Sequence, residues 1–149
     1  TFVEDDPLIG DVNDAAKKIH QKLKEIESST KPTAIVWGGE TTVKIKGSGL
    51  GGRNQELALI VAELAHQDPI RKSWTFLSGG TDGRDGPTEA AGAIVDQETC
   101  KRILNEGYQV YDFLAENNSN KALQISNDLL HTGATGTNVA DVQILIVSH

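Results

Sequence analysis

Glycine is distributed unevenly along this chain, and this distribution constrains the fold more than any other feature of the sequence. Of its 15 glycines, thirteen fall in three stretches, residues 38–52, 79–92 and 132–137. Glycine tolerates positive φ and close backbone approach, which loops need when their N–H groups surround a ligand. In an open α/β sheet, such loops meet beyond the strand ends, where ligands bind. We therefore expect one functional edge; the alternative is that each glycine only marks a turn.

Apolar periodicity predicts helices that alternate with short strands. A spacing close to 3.6 residues indicates an amphipathic helix at 11–28, and a run that is apolar on most faces indicates a buried helix at 54–66. Further helices are predicted at 97–105, 110–115 and 121–130, and strands at 34–37, 41–46, 74–78, 90–95 and 142–147. The alternation predicts an α/β fold, a three-layer αβα domain with helices on both faces of the sheet. Residues 37–46 resemble a hairpin, so we expect a mixed sheet.

Length, charge and cysteine content exclude several classes of protein. With 149 residues, the chain is expected to form one domain, residues 1–149. The 14 Lys and Arg against 21 Asp and Glu give a net charge of −7, which argues against nucleic acid as a partner. No apolar run approaches the roughly 20 residues that span a bilayer, so no membrane segment is predicted. A single cysteine favours a reducing compartment, the cytoplasm, with the mitochondrion as the alternative in a eukaryote.

Arg53 follows the first glycine-rich stretch and opens the buried helix. Residues 47–52 match G-x-G-x-x-G, but the next strand end lacks the acidic residue that a dinucleotide site needs. The stretch also approaches a Walker A motif, yet Arg53 and Asn54 replace its Lys-Ser/Thr pair. Arg53 nevertheless lies in the first turn of a helix, directly after four glycines. Its guanidinium, the amides of the loop and the helix dipole can all face a phosphate or a carboxylate. A solvated surface arginine is the alternative.

Three polar side chains, Asn54, Gln55 and Glu56, start a helix that is otherwise almost wholly apolar. They can cap the helix, because a glutamate in the first turn is favoured by the helix dipole. They can equally contact a ligand that lies at the end of the helix. The sequence leaves both interpretations open.

Two carboxylates, Asp82 and Asp85, lie in the second glycine-rich stretch, after a predicted buried strand. Such a loop can place both near one point, where they hold Mg²⁺ or accept a proton from a substrate hydroxyl. A pair of Asp-Gly turns is the alternative.

Other residues that often carry catalysis give no signal in this sequence. Cys100 lies inside a predicted helix without an activating motif, and no G-x-S-x-G elbow occurs. The histidines lack partners at metal-ligand spacing and are interpreted as ordinary: His20, His66, His131 and His149.

Four blocks of the sequence carry a resemblance to a known family. They are residues 38–43 (GGETTV), 51–59 (GGRNQELAL), 78–93 (SGGTDGRDGPTEAAGA) and 132–139 (TGATGTNV). In this order they resemble the MOFRL domain, the C-terminal part of the glycerate 2-kinase family, and the resemblance extends from about residue 8 to residue 147. Two positions depart from the family pattern. Ala134 stands where the last block usually has proline, and residues 118–120 (Asn-Ser-Asn) stand where the family tends to have Asp-Ser-Tyr.

The resemblance implies an ATP-dependent kinase that phosphorylates D-glycerate, with Mg²⁺, in a cleft shared with a larger N-terminal Rossmann-like domain. Arg53 matches the family's active-site arginine, and Asp82 and Asp85 match its acidic loop. The resemblance therefore implies that all three residues are catalytic and that the two aspartates also bind the metal. Substrate-binding residues are expected in the same blocks: Gly51, Gly52, Asn54, Gln55, Glu56, Gly80, Thr81, Thr135, Thr137 and Asn138. The chain begins at Thr1 and contains no methionine, so we expect a C-terminal fragment that is inactive without its N-terminal domain.

Two alternatives stay open. The first is a non-catalytic module that binds an anion or a sugar acid, and the second is a structural or interaction domain whose glycines only form turns. The sequence also leaves open whether the chain forms a homo-oligomer and whether the product is 2- or 3-phosphoglycerate.

Overall fold

A mixed sheet of seven strands organises the structure. The computed structural model describes residues 1–148, so His149 lies outside the described residues. The strands are β1 (Phe2–Val3), β2 (Leu8–Asp11), β3 (Thr33–Thr42), β4 (Trp74–Gly80), β5 (Gly92–Asp96), β6 (Leu129–Leu130) and β7 (Asp141–Val147). The helices are α1 (Val12–Ile26), α2 (Arg53–Gln67), α3 (Thr99–Asn105), α4 (Val110–Ala115) and α5 (Ser119–Ser126). Within residues 1–148, every helix is too short or too polar to span a bilayer.

Strand direction decides which loops emerge together. The strand order is β1-β3-β7-β4-β5-β6, with β2 parallel to β3. Both β3 and β4 run antiparallel to β7, which lies between them, so β3 and β4 are parallel to each other. The predicted α/β class and mixed sheet are confirmed. The predicted hairpin at 37–46 is wrong, because β3 is one continuous strand that ends at Thr42 and its antiparallel neighbour β7 is distant in sequence.

The five helices form one contiguous layer on a single face of the sheet. α1 packs against α2, α2 packs on β4 and β5, and the three shorter helices contact α2 and one another. The crossovers from β2 to β3 and from β3 to β4 run in the same direction across the sheet, so right-handed connections place both helices on the same face. Side chains on this face, such as Trp37, Phe76 and Leu145, are buried and form the core with the helices.

The opposite face of the sheet carries no helix from residues 1–148. Its apolar side chains form a row across five strands, through the paired residues Val3, Val36, Ile144, Leu77 and Ile94. On the same face of β7, Ile146 is 48% exposed. The described residues therefore supply the sheet and one helix layer, whereas the sequence predicted helices on both faces.

Substitutions at two neighbouring residues of β7 test which face of the sheet packs against the helices. Leu145 is fully buried under the helices, so Leu145→Ala is expected to lower the free energy of unfolding by about 2–5 kcal/mol. Ile146 points to the opposite face, so Ile146→Ala is the matched control and is expected to cost about 1 kcal/mol or less. Urea denaturation of the chain measures both values. Equal losses would contradict the one-sided core.

Candidate functional site

The three glycine-rich stretches meet at one edge of the sheet. β3 and β4 end there and β7 begins there, so Asp141 lies opposite both Gly39 and Gly80. The loop after β4 is tied to the segment before β7, because the backbone N–H and the hydroxyl of Thr81 donate to the Ala140 carbonyl at 2.9 and 2.7 Å. Helix α2 begins at the same edge. The structure thus brings together the loops that the sequence grouped.

Arg53, the first residue of α2, is held by a buried carboxylate. Its Nε and Nη2 donate to the two oxygens of Asp141 at 2.7 and 2.9 Å, and the Asp141 side chain is fully buried. Nη1 lies 3.4 Å from Oε1 of the exposed Glu40. The hydrogen bond to Asp141 raises the pKa of the Arg53 guanidinium, which stays charged. The solvent-facing side of this sheet edge is called the rim below. Because the Arg53 side chain is partly exposed there, its outer N–H groups can donate to an anion.

Asp141 is the residue that sequence reasoning missed. The signal was present: an acidic residue separates the third glycine-rich stretch from an apolar strand. A carboxylate at the start of a buried strand requires a charged or hydrogen-bonding partner, because an unpaired buried charge is costly. Its partner Arg53 lies 88 positions away in the sequence, so only the fold identifies the pair.

Asp85 caps helix α2 from the loop after β4. Its Oδ1 accepts from the backbone N–H and the Nδ2 of Asn54 at 3.1 and 3.2 Å. Its Oδ2 accepts from the backbone N–H and the Nε2 of Gln55 at 2.9 and 3.0 Å. Asp85 is 2% exposed; burial raises the pKa of its carboxyl, and the four donors oppose this rise. The arrangement favours a structural role over the catalytic and metal-binding roles that we expected for Asp85.

The three polar residues at the start of α2 are buried among protein partners. Asn54 Oδ1 accepts from Ser78 Oγ at 2.7 Å. Glu56 accepts from Asn117 Nδ2 at 3.1 Å. Asn54, Gln55 and Glu56 are each 7% exposed or less. Of the two interpretations that the sequence left open, the structure favours anchoring of the helix over contact with a ligand.

Three backbone N–H groups that lead into α2 have no protein acceptor among the described residues and are called the open amides below. Asp85 takes the second and third amides of the helix. No described residue accepts a hydrogen bond from the N–H groups of Gly51, Gly52 or Arg53. A side chain at Gly52 would meet the Asp85 carboxylate, which explains why this position is glycine. Open amides beside a guanidinium form a site that an anion can occupy.

Asp82 is an exposed carboxylate of the loop after β4. Its Oδ1 accepts from the Arg84 backbone N–H at 3.0 Å, and Oδ2 has no donor among the described residues. A pocket beside it is also lined by Arg84, Glu89 and His131. Asp82 and Asp85 therefore do not share one role: Asp82 faces the rim, and Asp85 lies inside the protein.

The remaining predicted residues hold the rim together. Thr135 Oγ1 donates to the carbonyl of Thr81 and accepts the backbone N–H of Thr137 at 3.4 Å. Asn138 Oδ1 accepts a backbone N–H two residues later at 3.2 Å, and Gly80 is the last residue of β4. The Thr137 and Asn138 side chains are exposed beside these contacts. Thr81 and Thr135 connect the two loops.

Asp82 is a candidate to contribute one oxygen to a metal ion. Among residues 1–148, no group of three or more His, Cys, Asp or Glu side chains is arranged to hold one. Mg²⁺ in phosphoryl-transfer sites is bound by one or two carboxylates together with phosphate oxygens and waters, so a single open carboxylate fits that pattern. Cys100 offers no further ligand, because burial raises the pKa of its thiol.

The fold and this edge define a class of protein: an α/β domain whose strand-end loops bring an arginine, open amides and an exposed carboxylate to one edge of the sheet. The chain belongs to the MOFRL family, whose family model matches residues 33–141.

Relatives agree with this assignment. The chain is 46% identical over 134 residues to a glycerate kinase of Homo sapiens, covering 87% of the chain and 26% of that protein. It is 44% identical over 142 residues to a D-glycerate 2-kinase of Thermotoga maritima, covering 92% and 33%. A crystal structure of the glycerate kinase of Thermotoga maritima superposes with a TM-score of 0.91 at 42% identity, covering 98% of this chain and 36% of that one. The chain thus spans about a third or less of the length of these relatives.

The two aspartates of the loop after β4 are expected to differ in their effect on stability. Asp85→Asn places an amide donor against the donors of α2, so it is expected to lower the free energy of unfolding by about 1–3 kcal/mol. Asp82→Asn is the control in the same loop. It keeps the acceptor for the Arg84 N–H and is expected to change stability by no more than about 0.5 kcal/mol. Urea denaturation compares the variants, and a larger loss for Asp82→Asn would contradict the assigned roles.

Proposed function

We propose that this chain is the C-terminal domain of a kinase that transfers the γ-phosphoryl group of ATP to D-glycerate. The observation that carries the proposal is the Arg53–Asp141 pair at the sheet edge of a chain whose relatives are named glycerate kinases. D-glycerate is a small carboxylate, and a phosphoryl group carries further negative charge. A fixed guanidinium beside open amides suits both.

Arg53 is the residue that binds the negative charge, either the glycerate carboxylate or the transferring phosphoryl group. Phosphoryl transfer depends mainly on positioning and on stabilisation of charge at the phosphoryl oxygens. The bidentate contact with Asp141 fixes the plane of the guanidinium before a substrate arrives, so little side-chain entropy is lost on binding. Asp141 is a positioning residue for Arg53, since it is buried and takes no part in contacts at the rim.

Asp82 either orients the reacting hydroxyl of glycerate or contributes one oxygen to Mg²⁺. Its exposed position beside the pocket permits both roles. Mg²⁺, when bound with ATP, neutralises charge on the phosphate oxygens. The exposed side chains of Thr137 and Asn138 add polar groups for the substrate. Asp85 contributes indirectly, by holding the start of α2 and therefore Arg53.

The complete site needs a second domain. The relatives are about three times as long as this chain or longer, and the groups that bind ATP are proposed to come from an N-terminal domain that faces this edge across a cleft. The chain alone is then expected to be inactive. Location in the cytoplasm and the formation of a homo-oligomer stay predictions.

Removal of the guanidinium tests the central assignment. In the full-length protein, Arg53→Ala is expected to lower kcat/KM for D-glycerate by at least about tenfold, equivalent to about 1.4 kcal/mol of transition-state stabilisation. Arg71→Ala, at an exposed arginine of the loop before β4, is the control with an expected kcat/KM near that of wild type. Steady-state kinetics with ATP and Mg²⁺ measures both. An unchanged kcat/KM in Arg53→Ala would remove Arg53 from the site.

Asp82→Asn separates catalysis from stability. Loss of a group that orients or deprotonates the hydroxyl is expected to lower kcat by roughly 100-fold. The same substitution is expected to leave the free energy of unfolding almost unchanged, as argued above. Turnover measured beside urea denaturation tests the assignment, and wild-type turnover would exclude Asp82 from the reaction.

The isolated chain distinguishes the kinase from a module that only binds an anion. Addition of D-glycerate to the isotope-labelled chain is expected to shift the NMR signals of residues 51–53 and 82, with no turnover when ATP is present. Turnover should be seen only with the full-length protein. A full-length protein that binds glycerate but does not phosphorylate it would favour the non-catalytic module.

A further inference from the structure

The loop between β3 and α2 is hydrogen-bonded to the connection between α4 and α5. Asn117, in that connection, is 5% exposed. Its Oδ1 accepts from the backbone N–H groups of Lys46 and Gly47 at 2.6 and 3.0 Å. Its Nδ2 donates to the carbonyl of Lys44 at 3.2 Å and to the carboxylate of Glu56 at 3.1 Å. One side chain therefore joins the loop to the first turn of α2.

Neighbouring contacts continue this attachment along the loop. The backbone N–H of Gly49 donates to the carbonyl of Glu116 at 2.8 Å, and that of Leu50 donates to Asn118 Oδ1 at 3.2 Å. A side chain at Gly49 would collide with Asn118, so the two segments are in direct backbone contact. The loop has little other support, because most residues of 44–50 are exposed.

Asparagine suits position 117 for two physical reasons. Its backbone has φ +52°, a left-handed conformation that asparagine tolerates better than most residues. Its amide also offers an acceptor and two donors at once, and here the acceptor meets two N–H groups while the donors meet a carbonyl and a carboxylate. An aspartate would provide the acceptor but no donor for Glu56.

We propose that Asn117 is a positioning residue of the phosphoryl-transfer site: by clamping residues 44–47 to Glu56, it fixes the loop whose end supplies the open amides and Arg53. This inference rests on the proposed function. Glu56 lies three residues after Arg53 in the first turn of α2, so the clamp joins the entrance of the loop to its exit. A displacement of about 1 Å in such a site can cost roughly 100-fold in rate, so a loop without this clamp impairs catalysis.

Replacement by glycine isolates the contribution of the side chain. Asn117→Gly tolerates the positive φ and removes only the amide contacts. In the full-length protein, kcat/KM for D-glycerate is expected to fall at least about tenfold. Asn105→Ala, at an exposed asparagine that ends α3, is the control outside the loop attachment, and a change of less than about threefold is expected. Wild-type kcat/KM in Asn117→Gly would overturn the proposal.

Asn117→Asp converts the clamp into a pH-dependent contact. Burial raises the pKa of the Glu56 carboxyl, and the hydrogen bond from Asn117 opposes this rise. Against a second carboxylate, the contact forms only while the pair retains a proton. The kcat/KM of the variant relative to wild type is therefore expected to fall roughly tenfold from about pH 5.5 to about pH 8.5. The other ionisable groups around Glu56 are identical in both proteins and cancel in the ratio: Lys46, Asp11, Asp85 and Tyr111.

A double variant provides the rescue. In Asn117→Asp combined with Glu56→Gln, the new amide donates to the new carboxylate, so the contact between positions 117 and 56 is restored with its polarity reversed, whereas the contact with the Lys44 carbonyl stays lost. The expected result is a kcat/KM above that of the Asn117→Asp single variant at alkaline pH and a ratio to wild type that does not change with pH. Because the aspartate variant retains both acceptor contacts with the loop, it serves as the test if the glycine variant does not fold. A loss that is independent of pH and is not rescued would overturn the positioning role.

Hydrogen exchange separates this inference from the proposed function. In Asn117→Gly, exchange of the Lys46 and Gly47 amides is expected to accelerate at least about tenfold, while that of Val61 in the centre of α2 stays unchanged. If the wild-type protein does not phosphorylate D-glycerate but these amides respond, the proposed function fails and the clamp stands. If the protein is an active kinase and these amides do not respond, the clamp fails.

Discussion

The buried carboxylate of Asp85 is the interaction on which the edge of the sheet depends. It satisfies the N-terminal amides of α2 with a charge from a different loop, so helix and loop are fixed relative to each other. A charge placed at a helix N-terminus is stabilised by the helix dipole, and the hydrogen bonds offset the cost of burying it. The position of Arg53 follows, because it is the first residue of the same helix.

A second buried carboxylate sets the orientation of Arg53. Asp141 begins the strand that lies between β3 and β4, so it enters the site from the centre of the sheet rather than from a loop. The edge therefore has two kinds of acidic residue. Asp85 and Asp141 are internal and hold protein groups, whereas Asp82 and Glu40 are exposed.

Some elements could be predicted from the sequence because their signals are local. The helices predicted at 11–28 and 54–66 correspond to α1 and α2, since apolar spacing reports burial directly. The helix predicted at 121–130 instead ends at Ser126, where Asn127 adopts a left-handed conformation and the chain enters β6. The hairpin at 37–46 failed because β3 pairs with a strand about a hundred residues away. Similarly, alternation along the chain does not reveal that all helices lie on one face, which depends on the direction of the crossovers.

The sequence by itself determined the α/β class, the three glycine-rich stretches, the place of Arg53 at the start of a buried helix and the family resemblance, because each depends on residue types at short spacing. Only the tertiary structure decided which carboxylate is exposed and which is buried against protein groups. Asp82 and Asp85 are three positions apart and look equivalent in the sequence, yet one faces the rim and the other is enclosed beneath the start of α2. Asp141 and Asn117 acquire their roles in the same way. Burial and hydrogen-bond partners are set by residues that are distant along the chain, and these settle whether a polar side chain stabilises the protein or meets a ligand.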